Sequence, residues 1–286
     1  LQRLSDPGMG NVVAPPTILT DSFGYISRVY VGDLRGNIWR ATVDNTSNWA
    51  LGATPQPFFT IGGTTYSKSI YTKASVSSGI GGYWIAFGTG DRENPMDVAS
   101  GSNGAVFMVK DADAFTRRGM TTTTITESAL QNESAFLSAV YNNNLTPPFT
   151  ALGGTMGWYG SLGGGSATTG EKMLSAPALF NNNIYFTTFE PEASSCQVGG
   201  TARIYGFGML TGMSSLYSST AESSGATPDV RVRTFTSAGI PSSPVISVSS
   251  EGVATLYFGT TGSTVKSLKI PSPSSSKTLK YWHEVR

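Results

Sequence analysis

Residues 29–43 read VYVGDLRGNIWRATV, and residues 256–270 read LYFGTTGSTVKSLKI. Both run from a short β-favouring stretch, through glycine and a polar turn, into a second stretch with apolar residues at roughly alternate positions. In the first, Val29, Tyr30 and Val31 lead into Gly32 and Gly36, and Ile38 to Val43 follow. In the second, Leu256, Tyr257 and Phe258 lead into Gly259 and Gly262, and Val265, Leu268 and Ile270 follow. Glycine suits such turns because it takes positive φ at little cost. Each stretch therefore reads as a β-hairpin, which is marginal alone and needs neighbours to bury its apolar face.

The same pattern recurs between these two copies. A first strand opens each unit, at Ala14 to Leu19, Lys73 to Val76, Ala176 to Phe180 and Ser243 to Ile246. A strand of aromatic and small residues follows, at Tyr30 to Asp33, Ala86 to Thr89, Tyr185 to Thr188 and Tyr257 to Thr260. The third strands are Ile38 to Arg40, Val106 to Val109, Ile204 to Phe207 and Val265 to Ile270. Small antiparallel sheets repeated in this way are the signature of a β-propeller, whose radial arrangement limits exposed edges. The fold class read here is all-β: four clear blade-like units, plus a weak fifth around Gly157-Trp158-Tyr159, as part of a larger ring. Residues 1–286 read as a single β-propeller domain, the C-terminal segment of a longer protein. Helix is expected mainly within residues 111–135.

Composition agrees with a turn-rich β protein and excludes several functions. Glycine is 34 of 286 residues, and charged residues are only 13%, against about 25% in ordinary soluble domains. With 19 basic and 18 acidic residues the net charge is +1, which argues against nucleic acid as a partner. No apolar stretch reaches the about 18 residues of a membrane span. The single cysteine, Cys196, has no partner for an intrachain bridge. It reads as either a loop thiol or a bridge to another part of a longer protein.

No catalytic or metal constellation emerges. His283 is the only histidine, so a multi-histidine metal site is excluded, and a Gly-x-Ser-x-Gly elbow is missing. Asp91, Glu93, Asp97, Glu190 and Glu192 fall on expected loops. Paired carboxylates there suit glycoside hydrolysis or simply a solvated loop. Asp91-Arg92-Glu93-Asn94-Pro95 is the densest charged cluster in the chain. Asp91, Arg92, Glu93 and Asn94 are the candidate binding residues, in a loop expected to be shaped by an internal Arg–carboxylate contact. Asp21 lies in a turn of the kind that can hold calcium, but it is the only carboxylate there, which predicts a plain turn. Trp39, Trp84, Trp158 and Trp282 sit in strand-like runs and read as core or blade-interface residues. The long loops 90–104 and 190–201 join the second and third strands of two units, so they should emerge on one face of the ring.

Five stretches, in order, resemble the C-terminal propeller of the PilY family, the type IV pilus tip-associated adhesins. They are RVYVGDLRGNIWR (28–40), WIAFGTGDRENP (84–95), Gly157-Trp158-Tyr159, SAPALFNNNIYFTTFEP (175–191) with Cys196 and Gly199-Gly200-Thr201 after it, and SSPVISV (242–248) with YFGTTG (257–262). The resemblance runs from about residue 10 to the C-terminus. It implies an extracellular protein of the cell surface or pilus tip that associates with minor pilins and acts in pilus assembly and adhesion without enzymatic chemistry or a cofactor. Partners on this reading are minor pilins or the pilus tip complex, the protein's own N-terminal region, or a surface ligand. The family's calcium loop corresponds here to TDSFGYISR (20–28), which keeps Asp21 and lacks the later acidic positions. The competing readings are a quinoprotein-like propeller oxidoreductase and a carbohydrate-active propeller.

Overall fold

The computed structural model describes residues 6–43, 49–50, 56–63, 65–115, 123–143, 149, 152, 155–192, 199–218 and 227–273. His283, Cys196 and Trp282, singled out in the sequence, lie outside these residues. The chain opens with β1 (Thr17–Thr20), β2 (Ile26–Gly32), β3 (Asn37–Val43), β4 (Trp49–Ala50) and β5 (Phe59–Thr60). Next come β6 (Ser75–Gly79), β7 (Gly82–Gly88), β8 (Ala105–Asp111), β9 (Ile125–Thr126), β10 (Gln131–Asn132), helix α1 (Ser134–Tyr141) and β11 (Gly157–Ser161). The remainder is β12 (Ala178–Phe180), β13 (Asn183–Pro191), β14 (Gly200–Gly208), β15 (Val232–Phe235), β16 (Val245–Val248), β17 (Ala254–Gly259) and β18 (Val265–Ile270).

These strands form four sheets, in the orders β1-β2-β3-β5-β9 (with β4 on β3), β10-β11-β8-β7-β6, β12-β13-β14-β15 and β16-β17-β18. The second and third strands of each unit pair antiparallel. In three of them a glycine opposes a β-branched residue at the last pair: Gly32 with Ile38, Gly88 with Val106 and Gly259 with Val265. The chain is an all-β β-propeller, as the repeated hairpins predict.

Alternation along the strands builds three cores between neighbouring sheets. Ile85, Phe87, Phe107 and Val109 face the first sheet, against Tyr30, Ile38 and Phe59. Trp84, Ala86, Val106 and Met108 face the third, against Ile184, Phe186, Tyr205 and Phe207. Both faces of β7 and β8 are buried, so their sequences are almost continuously apolar. Tyr185 and Ile204 point the other way, toward Ala254, Leu256 and Phe258 of the fourth sheet. Among the described residues no core cluster joins the fourth sheet to the first. The outer face of the fourth sheet leaves Val245 and Val265 exposed at 64% and 76%. Among the described residues the four sheets therefore form an open arc.

Three expectations need correction. Gly157-Trp158-Tyr159 is not a separate fifth unit, because β11 pairs with β8 along five residues and completes the second sheet. Gly157 permits this: a Cβ there would sit 1.9 Å from the Met108 carbonyl oxygen. Helix also extends past residue 135. α1 places Phe136, Leu137 and Val140 against the core between the second and third sheets, a helical spacing that outweighs the surrounding β pattern. The loop expected at 190–201 is shorter, since Glu190 pairs with Thr201 and Pro191 with Gly200.

Candidate binding face

The turns that join second and third strands gather at one end of the arc. The first is set by Asp33, which is fully buried. Its carboxylate accepts hydrogen bonds of 2.8–2.9 Å from the backbone N–H groups of Gly10, Arg35 and Asn37, the Asn37 side-chain amide and Trp39 Nε1. Gly32, just before it, has no room for a side chain, because a Cβ would lie 2.4 Å from Ile70 Cγ2. Gly36 closes the turn at φ +85°. In the second unit Thr89 stands where Asp33 does, and its hydroxyl accepts from the Ala105 N–H at 2.9 Å.

Residues 90–104 replace that short turn in the second unit. Asp91 Oδ1 accepts from the Glu93 and Asn94 amides at 2.9 and 3.3 Å, and Asp97 Oδ1 from the Ala99 amide at 2.9 Å. Tyr71 donates its hydroxyl to Asp91 at 3.2 Å. Burial, with the nearby Asp91 carboxylate, pushes the Tyr71 phenol up to about 12. At the far end buried Asn103 donates to the carbonyls of Leu162 and Ser166 and accepts from the Gly170 N–H at 2.7 Å. The loop is thus shaped by carboxylates gathering backbone amides, not by the expected ion pair of Arg92. Arg92, Glu93, Asn94, Met96 and Val98 are left exposed on its outer side, while Asp91 and Asp97 are half-buried.

Beneath the loop lie two buried charged residues that sequence reasoning missed. Lys172 is fully buried and donates to the backbone carbonyls of Pro95, Asp97 and Gly170. Burial lowers its pKa, and the carboxylates of Asp97 and Asp91 oppose that shift. Glu171, also fully buried, accepts from Thr188 Oγ1 at 2.6 Å, Tyr205 OH at 2.9 Å and the Gly163 N–H at 2.6 Å. Arg203 lies 3.8 Å from Glu171 and 2.6 Å from Glu190, and stacks over the Tyr141 ring at 4.2 Å. Burial raises the Glu171 carboxyl, and Arg203 opposes the rise. Glu190, expected on a loop, is therefore a strand residue tied to Arg203 and to the Tyr141 hydroxyl at 2.8 Å. The signal available in the sequence was Glu171-Lys172 itself, two charges set among glycine and apolar residues in a charge-poor chain.

Gly170 shows that the second and third units share this end. A Cβ there would lie within 2.6–3.1 Å of Asp97, Val98 and Pro191. Loop 90–104 and the end of β13 thus meet at one point. The first and fourth units join the same surface, through Gly90 N–H to Ser69 O, Ile70 N–H to Asp33 O, and Gly239 N–H to Gly200 O. Asp21 lies apart, in the β1–β2 hairpin. Its Oδ1 accepts from the Phe23 and Tyr25 amides at 2.9 and 3.1 Å, and Phe23 and Tyr25 project into solvent. Among the described residues no group of three His, Cys, Asp or Glu side chains is placed to hold a metal ion. No helix among them is long and apolar enough to cross a membrane.

The chain matches no protein-family model and no curated protein. Among solved structures it is similar to the C-terminal domain of Pseudomonas aeruginosa PilY1, at 15% identity and a TM-score of 0.64 over 90% of this chain. The match covers 60% of that longer chain. An endo-arabinase from Bacteroides thetaiotaomicron gives a TM-score of 0.37 at 11% identity, covering 93% of this chain and 77% of its own. A GH43 endo-arabinanase from Bacillus licheniformis gives 0.27 at 10% identity, covering 92% and 96%. The fold of this chain is that of the PilY1 C-terminal domain.

Proposed function

We propose that this domain is a non-enzymatic propeller platform of a type IV pilus tip, and that the face carrying loop 90–104 binds a partner. The partner is a minor pilin, the protein's own N-terminal region or a surface ligand, and the setting is extracellular. The observation that carries the reading is the loop itself. It is long, fastened at both ends and exposed along Arg92 to Asn94. A preorganised loop on a rigid scaffold is how recognition surfaces are commonly built, because little ordering entropy remains to be lost on binding. The PilY1-like fold and the ordered motif resemblance support a pilus setting. A binding role also fits the carboxylates: Glu171 is buried beneath Tyr205 and Thr188, and Glu190 is engaged by Arg203 and Tyr141. The exposed outer face of the fourth sheet, at Val245 and Val265, is where a further blade of a larger ring would pack.

The test is to replace the exposed Arg92, Glu93 and Asn94 together with serine. The carbonyls of Pro95 and Asp97 on Lys172 and the buried Asn103 anchor stay in place, so the domain should fold. Cells carrying the variant should show reduced surface pili, twitching or attachment. Normal pili, twitching and attachment would reject the proposal.

A further inference from the structure

Loop 90–104 is wrapped around one side chain. It enters beside Lys172 at Gly90, where a Cβ would lie 2.7 Å from Lys172 Cβ. It passes over the Lys172 ammonium at Pro95 and Asp97, and it leaves at Gly104, where a Cβ would lie 3.4 Å from Lys172 Cα. Nζ donates to the carbonyls of Asp97 at 2.5 Å, Gly170 at 2.9 Å and Pro95 at 3.4 Å. An ammonium has three N–H donors, and all three are directed at backbone oxygens. A buried cation is unfavourable unless its donors are met, so each carbonyl is held where the ammonium needs it. Converging oxygens around a positive charge are also how a loop grips calcium. Here the charge belongs to the chain.

We propose that Lys172 is the resident cation of loop 90–104, a positioning residue that holds Arg92, Glu93 and Asn94 in their exposed arrangement. This deepens the reading of that face as a binding surface. Its test contains no partner, so the two ideas stand or fall separately. Lys172→Met keeps the volume of the buried stem and removes only the charge and the donors. Limited trypsin digestion then reads loop order at the exposed Arg92–Glu93 bond, because proteases cut segments that can open. Cleavage after Arg92 should be at least tenfold faster in Lys172→Met than in the unmodified protein. Cleavage after Lys266 and Lys269, both in the fourth sheet, should stay the same. Unchanged cleavage at Arg92, or cleavage rising in step at all three sites, would overturn the proposal. A second measurement needs no variant. In the native protein, acylation of Lys172 should be at least a hundredfold slower than that of exposed Lys73. Once the chain is nicked after Arg92, Lys172 should react at least tenfold faster. Reactivity equal to that of Lys73, or unaltered by the nick, would equally overturn it.

Discussion

Asp33 shows how one residue can organise a turn. Five donors converge on its carboxylate, and it is fully buried. Asp33→Ala strands these donors, and each buried unsatisfied donor costs about 1–3 kcal/mol. We expect a loss of about 3–5 kcal/mol in urea unfolding, and a loss below about 1 kcal/mol would refute the role assigned to it. The turn was legible in the sequence, because Gly32, Asp33 and Gly36 announce it through backbone requirements that few other residues meet. Trp39 was equally legible as core. Lys172 and Glu171 were not. A charge is read from sequence as solvated, and only the packed structure shows three carbonyls around one ammonium and a hydroxyl pair over one carboxylate. The four residues from Asp91 to Asn94 were found as a charged cluster, but what shapes them, amides donating to Asp91, was not.

Buried charge also ties neighbouring sheets together. Asp111, at the end of β8, receives Arg28 at 3.4 Å, Arg40 at 2.6 Å and the Tyr30 hydroxyl at 2.5 Å from the first sheet. Burial and the adjacent Asp111 carboxylate push the Tyr30 phenol far above the ordinary tyrosine range. Removing one member of such a group leaves the others charged in a dry interior, which typically costs about 3–5 kcal/mol. Asp111→Ala should lose about that much in denaturant unfolding, and Asp111→Asn less, since it still accepts hydrogen bonds. Equal, small losses for both would show that the interface does not depend on these ion pairs. The β1–β2 hairpin gives a second prediction. Its carboxylate, Asp21, is occupied with the hairpin's own amides, and sensor-type calcium sites use several carboxylates. Calorimetry at millimolar calcium should reveal no saturable site that Asp21→Ala removes. A submicromolar site lost in that variant would contradict this. At this scale the strands were legible because burial on both faces writes almost continuous apolar runs into β7 and β8, and aromatic and aliphatic residues interleaved with threonine and glycine into β13 and β14. The sheet that β11 joins was not, since Gly157-Trp158-Tyr159 looks alike as an inner or an outer strand. α1 was hidden because its eight residues, SAFLSAVY, carry no charge to mark a solvent face.

Across the whole molecule the repeated hairpin decides the architecture, and the irregular connections decide what the architecture presents. Four sheets stack through three shared cores, and the second-to-third-strand turns collect at one end. That end carries the long loop, the buried lysine beneath it and the Arg203 cluster beside it. The β6–β7 turn lies at the opposite end of the second sheet, and its Ile80 is 83% exposed. The two positions allow a direct comparison within one blade. A photo-crosslinking amino acid placed at Asn94 or at Ile80, in the full-length protein on piliated cells, would report what each end touches. The account predicts a discrete crosslinked product from Asn94, to a pilus component, to the protein's own N-terminal region or to the surface bound, with none from Ile80. A product from Ile80 with none from Asn94 would contradict it.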